Sequence, residues 1–136
     1  MKQLMLALAC LLFLTDCRRG YRSCDVYFWS STAPGATYHL YLNRRYAGEV
    51  PCLGPHTDGS RLRGEALYHR LPSGRYAVVL TDDQGHVAFR QHLTILQWGG
   101  SKSVSNEMDD TSGGARMVLK GNDFIEEFYR KDRPDY

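Results

Sequence analysis

The sequence predicts a mainly β fold: an antiparallel β-sandwich of about six to seven strands with a short C-terminal helix. Three observations point there. Short segments alternate apolar and polar side chains, most plainly Arg75–Thr81, where Tyr76, Val78 and Leu80 share one face and Val79 lies opposite. Breaker clusters separate these segments at Ser31–Gly35, Pro72–Gly74 and Asp82–Gly85. Nine Tyr and two Trp fall mainly inside them, as expected of side chains that suit a pleated surface.

Taken in order, Cys24–Ser31 is rich in β-branched and aromatic residues and reads as a first strand. Thr37–Asn43 follows, with Tyr38, Leu40 and Leu42 on one face and His39, Tyr41 and Asn43 on the other. Asn43-Arg44-Arg45 turns the chain into Tyr46–Val50, so the two segments form a hairpin that Pro51 ends. A polar loop from Gly54 to Ser60 leads to a fourth strand over Leu62–Leu71. Pro72-Ser73-Gly74 makes a tight turn into Arg75–Thr81, and Asp82–Gly85 a second one into His86–Gln97, where Gln91 is the one polar interruption of the apolar face. Pairing is expected to be local throughout. Residues 98–114 turn to Gly, Ser, Asn and Asp and read as a flexible loop. Ala115–Lys120 reads as a last strand. Asp123 and Glu126 have capping-box spacing, and Phe124, Ile125, Phe128 and Tyr129 form a stripe, which predicts a helix through about Lys131.

The N-terminus carries an address. Leu4–Leu14 is apolar, follows Lys2, and stops at Thr15-Asp16-Cys17, so the segment resembles a bacterial lipoprotein signal. The run is shorter than the roughly 20 apolar residues a membrane span needs. Leu14 and Thr15 fit a lipobox; Asp16 stands where Gly, Ala or Ser is usual, and cleavage without lipid near Gly20 is the alternative outcome. The resemblance implies a diacylglycerol- and palmitate-bearing Cys17 and a chain held by lipid in the bacterial cell envelope, at the outer membrane, with a secreted or periplasmic protein as the alternative. The organisation is then a signal over 1–16, a membrane tether over 17–23, the sandwich over 24–97, the loop over 98–114, and the final strand and C-terminal helix over 115–136. Of the four cysteines, Cys10 leaves with the signal and Cys17 takes the lipid, so Cys24 and Cys52 are expected to form a disulfide that would stabilise the fold by roughly 3–4 kcal/mol.

Two further stretches, Tyr41–Pro51 and Leu71–Leu80, resemble PEGA-type and carboxypeptidase-regulatory-like β-sandwich modules, in which a hairpin ending in Gly-x-x-Pro precedes Leu-x-x-Gly-x-Tyr. Gly48, Pro51, Leu71, Gly74 and Tyr76 carry the match; Asn43-Arg44-Arg45 replaces the usual Asp-Gly turn. That resemblance implies an Ig-like or prealbumin-like sandwich serving as a non-catalytic binding or spacer module.

The net charge is +2, and Arg44-Arg45, Arg61 and Arg63 make no long basic block, so no nucleic-acid partner is expected. His39, His56, His69, His86 and His92 show no ligand spacing, no CxxC occurs, and no metal or cofactor is expected. Asp82-Asp83 and Asp109-Asp110 suit solvated loops, and Ser73, Ser101 and Ser112 lack a nucleophile motif, so no catalytic residues are assigned. The candidate binding face is Tyr27, Trp29 and Tyr41, opposite the apolar faces of their strands. The expected function is a membrane-anchored accessory module that binds an envelope protein or glycan. The alternative is an inhibitor of a lysozyme-like hydrolase that inserts an extended loop, Gly54–Arg63 or Trp98–Gly114, into the active-site cleft.

Overall fold

The computed structural model describes residues 22–55, 57–98, 101–108, 113–120 and 123–130. These form nine strands and one helix: β1 (Ser23–Ser30), β2 (Tyr38–Leu42), β3 (Arg45–Val50), α1 (Gly59–Glu65), β4 (Leu67–Pro72), β5 (Gly74–Thr81), β6 (Val87–Trp98), β7 (Ser101–Met108), β8 (Gly113–Lys120) and β9 (Asp123–Arg130). The predicted signal over 1–16 and the tether as far as residue 21 lie outside the described residues, as do His56, Asp109-Asp110 and Ser112.

The protein is mainly β, with strands in two facing sheets. One sheet has the order β4-β1-β9-β8, the other β3-β2-β5-β6-β7. Alternation along the strands delivers one row of side chains from each sheet to the space between them. Val26, Phe28, Phe124 and Phe128 come from the first sheet, and Leu40, Leu80, Phe89, Leu93 and Ile95 from the second. The Phe128 ring lies 5.5 Å from Phe89 and 6.3 Å from Phe28, so the two layers meet through aromatic contacts. Gln91 falls in this inward row and is 1 % exposed. Its Nε2 donates to Glu126 Oε1 of β9 at 2.5 Å, a polar link between the sheets inside an otherwise apolar core.

A second, smaller cluster sits on the outer face of the first sheet, where Trp29 and Ile125 are covered by Leu62 of α1. Asp58 caps that helix: its Oδ1 accepts from the Arg61 backbone N–H at 2.8 Å, which holds the Asp58 carboxyl below the usual carboxylate range. Arg61 and Glu65 then pair at 2.6 Å across one turn. The expected fourth strand over Leu62–Leu71 is therefore corrected. Its first part is helix, because Asp58 supplies a cap and Leu62 an apolar contact, and pairing starts only at Leu67.

Three other expectations are overturned. The segment 98–114 is not one loop: Ser101–Met108 is β7, paired along its whole length with β6 from Trp98 to Gln91. A polar composition is tolerated there because an edge strand needs backbone partners more than apolar side chains. The C-terminal helix is instead β9. Phe124 and Phe128 point into the core while Ile125 meets Trp29 and Leu62 outside, so the stripe belongs to a strand buried on both faces. Pairing is also not local throughout. β1 pairs antiparallel with β4 and parallel with β9, from Val26↔Phe124 to Ser30↔Phe128.

The expected disulfide does not form either. Cys24 opens β1 opposite Leu71, whereas Cys52 bridges to Ser30 at the other end of the same strand. Six residues of extended chain span about 20 Å, far beyond the roughly 4.4–6.8 Å between Cα atoms that a disulfide allows. The Cys24 thiol meets the Arg22 carbonyl oxygen and the Ser73 hydroxyl instead, each at 3.9 Å. With no such pair to form, the cysteine count no longer bears on Cys17, and the lipoprotein expectation rests on Leu4–Cys17 alone.

Candidate functional site: a cleft between two edge strands

The sandwich has two flanks. On one, β8 lies against β6 and β7; on the other, the edge strands β3 and β4 approach each other. The second flank opens into a cleft of about 350 Å³. Val50 and Pro51 from the end of β3 and Ala66 and Leu67 from the start of β4 give it apolar walls, and Glu49, Glu65 and Tyr68 give it polar ones. Local rules place each group. β3 bends where its pairing with β2 shifts register between Leu40 and Tyr41, and Gly48 adopts φ 131° there. A Cβ at Gly48 would meet Leu67 at 3.0 Å, so the absence of a side chain lets β3 close on β4 and shapes the cleft.

Tyr68 is 48 % exposed, yet its position is fixed. Its hydroxyl donates to Asp25 Oδ1 at 2.6 Å and its ring lies 5.3 Å from that of Tyr27. The hydrogen bond to Asp25 pushes the Tyr68 phenol above its ordinary value. A held aromatic wall beside the exposed Glu49, with Glu65 in its pair with Arg61 at the rim, suits a ligand with a cationic group on an apolar stem, and the adjoining sheet edges offer backbone hydrogen bonds to an extended chain.

The three aromatic residues named from the sequence do not share a face. Tyr27 and Trp29 lie on the outside of the first sheet and Tyr41 on the outside of the second. Trp29 is 6 % exposed because α1 covers it, so it offers no binding surface. Tyr27 borders the cleft through Tyr68. Tyr41 joins a separate group in which Tyr46 lies 5.6 Å away, with His39 a further 6.0 Å from Tyr46. Nothing local in the sequence signals Glu49, Glu65 and Tyr68, since β3, the end of α1 and β4 meet only through the fold.

His39 lies 3.5 Å from Asp83 and His86 3.4 Å from Asp82, while His69 Nε2 meets the Ala47 carbonyl oxygen at 2.6 Å. Asp82 is a turn residue: its Oδ1 accepts from the backbone N–H groups of His86 and Gln84 at 2.9 Å, which lowers its carboxyl from the ordinary value. No group of three or more metal-ligating side chains occurs among the described residues. The two segments named as inhibitory loops contain α1 and β7, so neither is an extended loop along its length.

No family model, curated protein or solved structure matches this chain.

Proposed function

We propose that this chain is a lipid-anchored envelope protein whose sandwich, of the Ig-like or prealbumin-like kind that the PEGA resemblance implies, acts as a non-catalytic binding module. The cleft between β3 and β4 is the observation that carries this reading. Glu49 and a fixed tyrosine at adjoining sheet edges, with Glu65 at the end of α1 beside them, fit a basic, extended segment of a protein partner in the envelope better than a glycan. The N-terminal signal supplies the anchor at Cys17.

The test uses a lysine-rich extended peptide as probe and backbone amide shifts as readout. Shifts are expected along β3 and β4, and replacing both Glu49→Lys and Glu65→Lys is expected to weaken binding by at least tenfold, about 1.4 kcal/mol, with the thermal midpoint little changed. Equal binding by the charge-reversed variant, or shifts around Tyr41 and Tyr46 instead, would remove the cleft from this role.

A further inference from the structure

We propose that the pole of the sandwich where the chain joins the fold rests on an anionic bilayer surface, with Trp98 seated among the lipid headgroups. This rests on the lipid-anchored reading and adds an orientation and a contact residue to it. The pole is defined by a hydrogen-bonded knot around Ser73, the residue that connects β4 to β5 and so one sheet to the other. The Ser73 hydroxyl donates to the Arg22 carbonyl oxygen at 2.5 Å and accepts from the Gln97 backbone N–H at 2.9 Å. The Arg22 N–H donates in turn to the Gln97 carbonyl oxygen at 2.9 Å. The first described residue is thereby tied to the end of β6, and Trp98 is the next residue along.

Chain length then decides which part of the molecule faces the membrane. Cys17 and Arg22 are five residues apart in sequence, a reach of at most about 17 Å. β6 has twelve residues, a span of about 40 Å, so the pole beyond Val87 stays far from a bilayer that holds Cys17 while the Ser73 pole stays close. Trp98 is 51 % exposed at that pole, in contrast to Trp29 under α1. A half-exposed indole, apolar in body with one N–H, is the side chain best suited to the headgroup region. Charge agrees. Within two positions in sequence of Arg22, Ser73 and Gln97, the charged residues among those described are Arg22 and Arg75, both exposed; Lys102 is the register partner of Gln97, the acidic Asp25 and Asp123 towards this end stand opposite Arg70 and Lys120, and Arg18-Arg19 lie between Cys17 and Arg22 in sequence. Acidic residues there are matched in register by basic ones, and the positive charges left in excess complement anionic lipid.

The experiment takes the full-length lipidated protein into vesicles of phosphatidylcholine with phosphatidylglycerol and measures tryptophan quenching by phospholipids brominated at shallow or deep acyl positions. The expected result is a blue-shifted emission quenched most by shallow bromines, with that quenching lost in Trp98→Phe. Arg22→Glu with Arg75→Glu is expected to reduce it on these vesicles and to change it little on pure phosphatidylcholine. Near-ultraviolet dichroism of Trp29 checks that each variant is folded. If mass spectrometry finds lipid on Cys17 but Trp98 is unquenched by lipid and open to aqueous iodide, the orientation is wrong and the anchored reading stands. If Cys17 carries no lipid, the anchored reading fails and this inference fails with it.

Discussion

At the scale of single residues, Cys52 shows how position sets chemistry. It sits beside Ser30 where the chain leaves β3, and partial burial is the main cause that raises its thiol above the ordinary value of 9.0. The nearby Asp83 carboxylate adds to the rise because a thiolate beside it would be a like charge, while a hydrogen bond from Ser30 acts in the opposite direction. The thiolate is the reactive species, so a raised value means slow alkylation at neutral pH and a rate that climbs only at more alkaline pH than for an ordinary cysteine. Site-resolved iodoacetamide labelling followed by mass spectrometry, run across a pH series, is expected to place the Cys52 midpoint above that of a model thiol. Removing the carboxylate with Asp83→Asn is expected to move it down. A midpoint at or below the model thiol would mean that burial does not govern this site. Nothing in the sequence around Cys52 could have told this, because Ser30 and Asp83 reach it only through the fold.

Among the elements, the β2–β3 hairpin was legible and its turn tests why. Alternation along Tyr38–Leu42 and the stop at Pro51 mark both strands, and the structure gives the turn at Asn43-Arg44 positive φ values of 50° and 68°. Asn tolerates that region, and its Oδ1 also accepts from the Ala77 N–H at 2.9 Å, fastening the turn to β5. Arg44 has no such compensation built into its side chain type: a left-handed conformation costs a non-glycine residue roughly 1–2 kcal/mol. Arg44→Gly relieves that strain and gives the Asn-Gly pair that such turns favour, against roughly 0.5–1 kcal/mol of added unfolded-state entropy. A net gain of about 0.5–1 kcal/mol is expected, read as a higher urea midpoint at unchanged slope; a lower midpoint would show that the arginine stem contributes packing that outweighs the strain. Elements further along were less legible for a different reason. In Asp123–Arg130, apolar residues occur in adjacent pairs, which a helix face and a strand buried on both sides satisfy equally well, and the capping-box spacing of Asp123 and Glu126 favours a helix only while the neighbouring strands are left out of account. In Ser101–Met108 the side chains say little, and the strand forms because β6 extends far enough to pair with it.

Over the whole molecule, the decisive feature is that the first and last described strands lie side by side. Sequence patterns identify strands one at a time and carry almost no information on a parallel contact between residues about 100 apart, so the sandwich class was legible and the order β4-β1-β9-β8 was not. The consequence is that β9 belongs to the core. β9 separates β1 from β8 and supplies Phe124 and Phe128, both fully buried, together with Ile125 beneath α1 and the Glu126 partner of Gln91. A helix laid over a finished sandwich could be removed at modest cost; a central strand could not. Phe128→Ala alone is expected to cost about 3–5 kcal/mol, a large part of the roughly 5–15 kcal/mol by which single domains are stable. Truncation after Lys120 removes that ring, its two apolar neighbours on β9 and the whole ladder between β1 and β8 at once. The truncated chain is therefore expected to lose its cooperative thermal transition, with the near-ultraviolet signal of Trp29 collapsing, while Phe128→Ala keeps a single transition at lower temperature. A truncated chain that still melted cooperatively would place the folding unit in the five-stranded sheet alone and would make β9 an accessory to it.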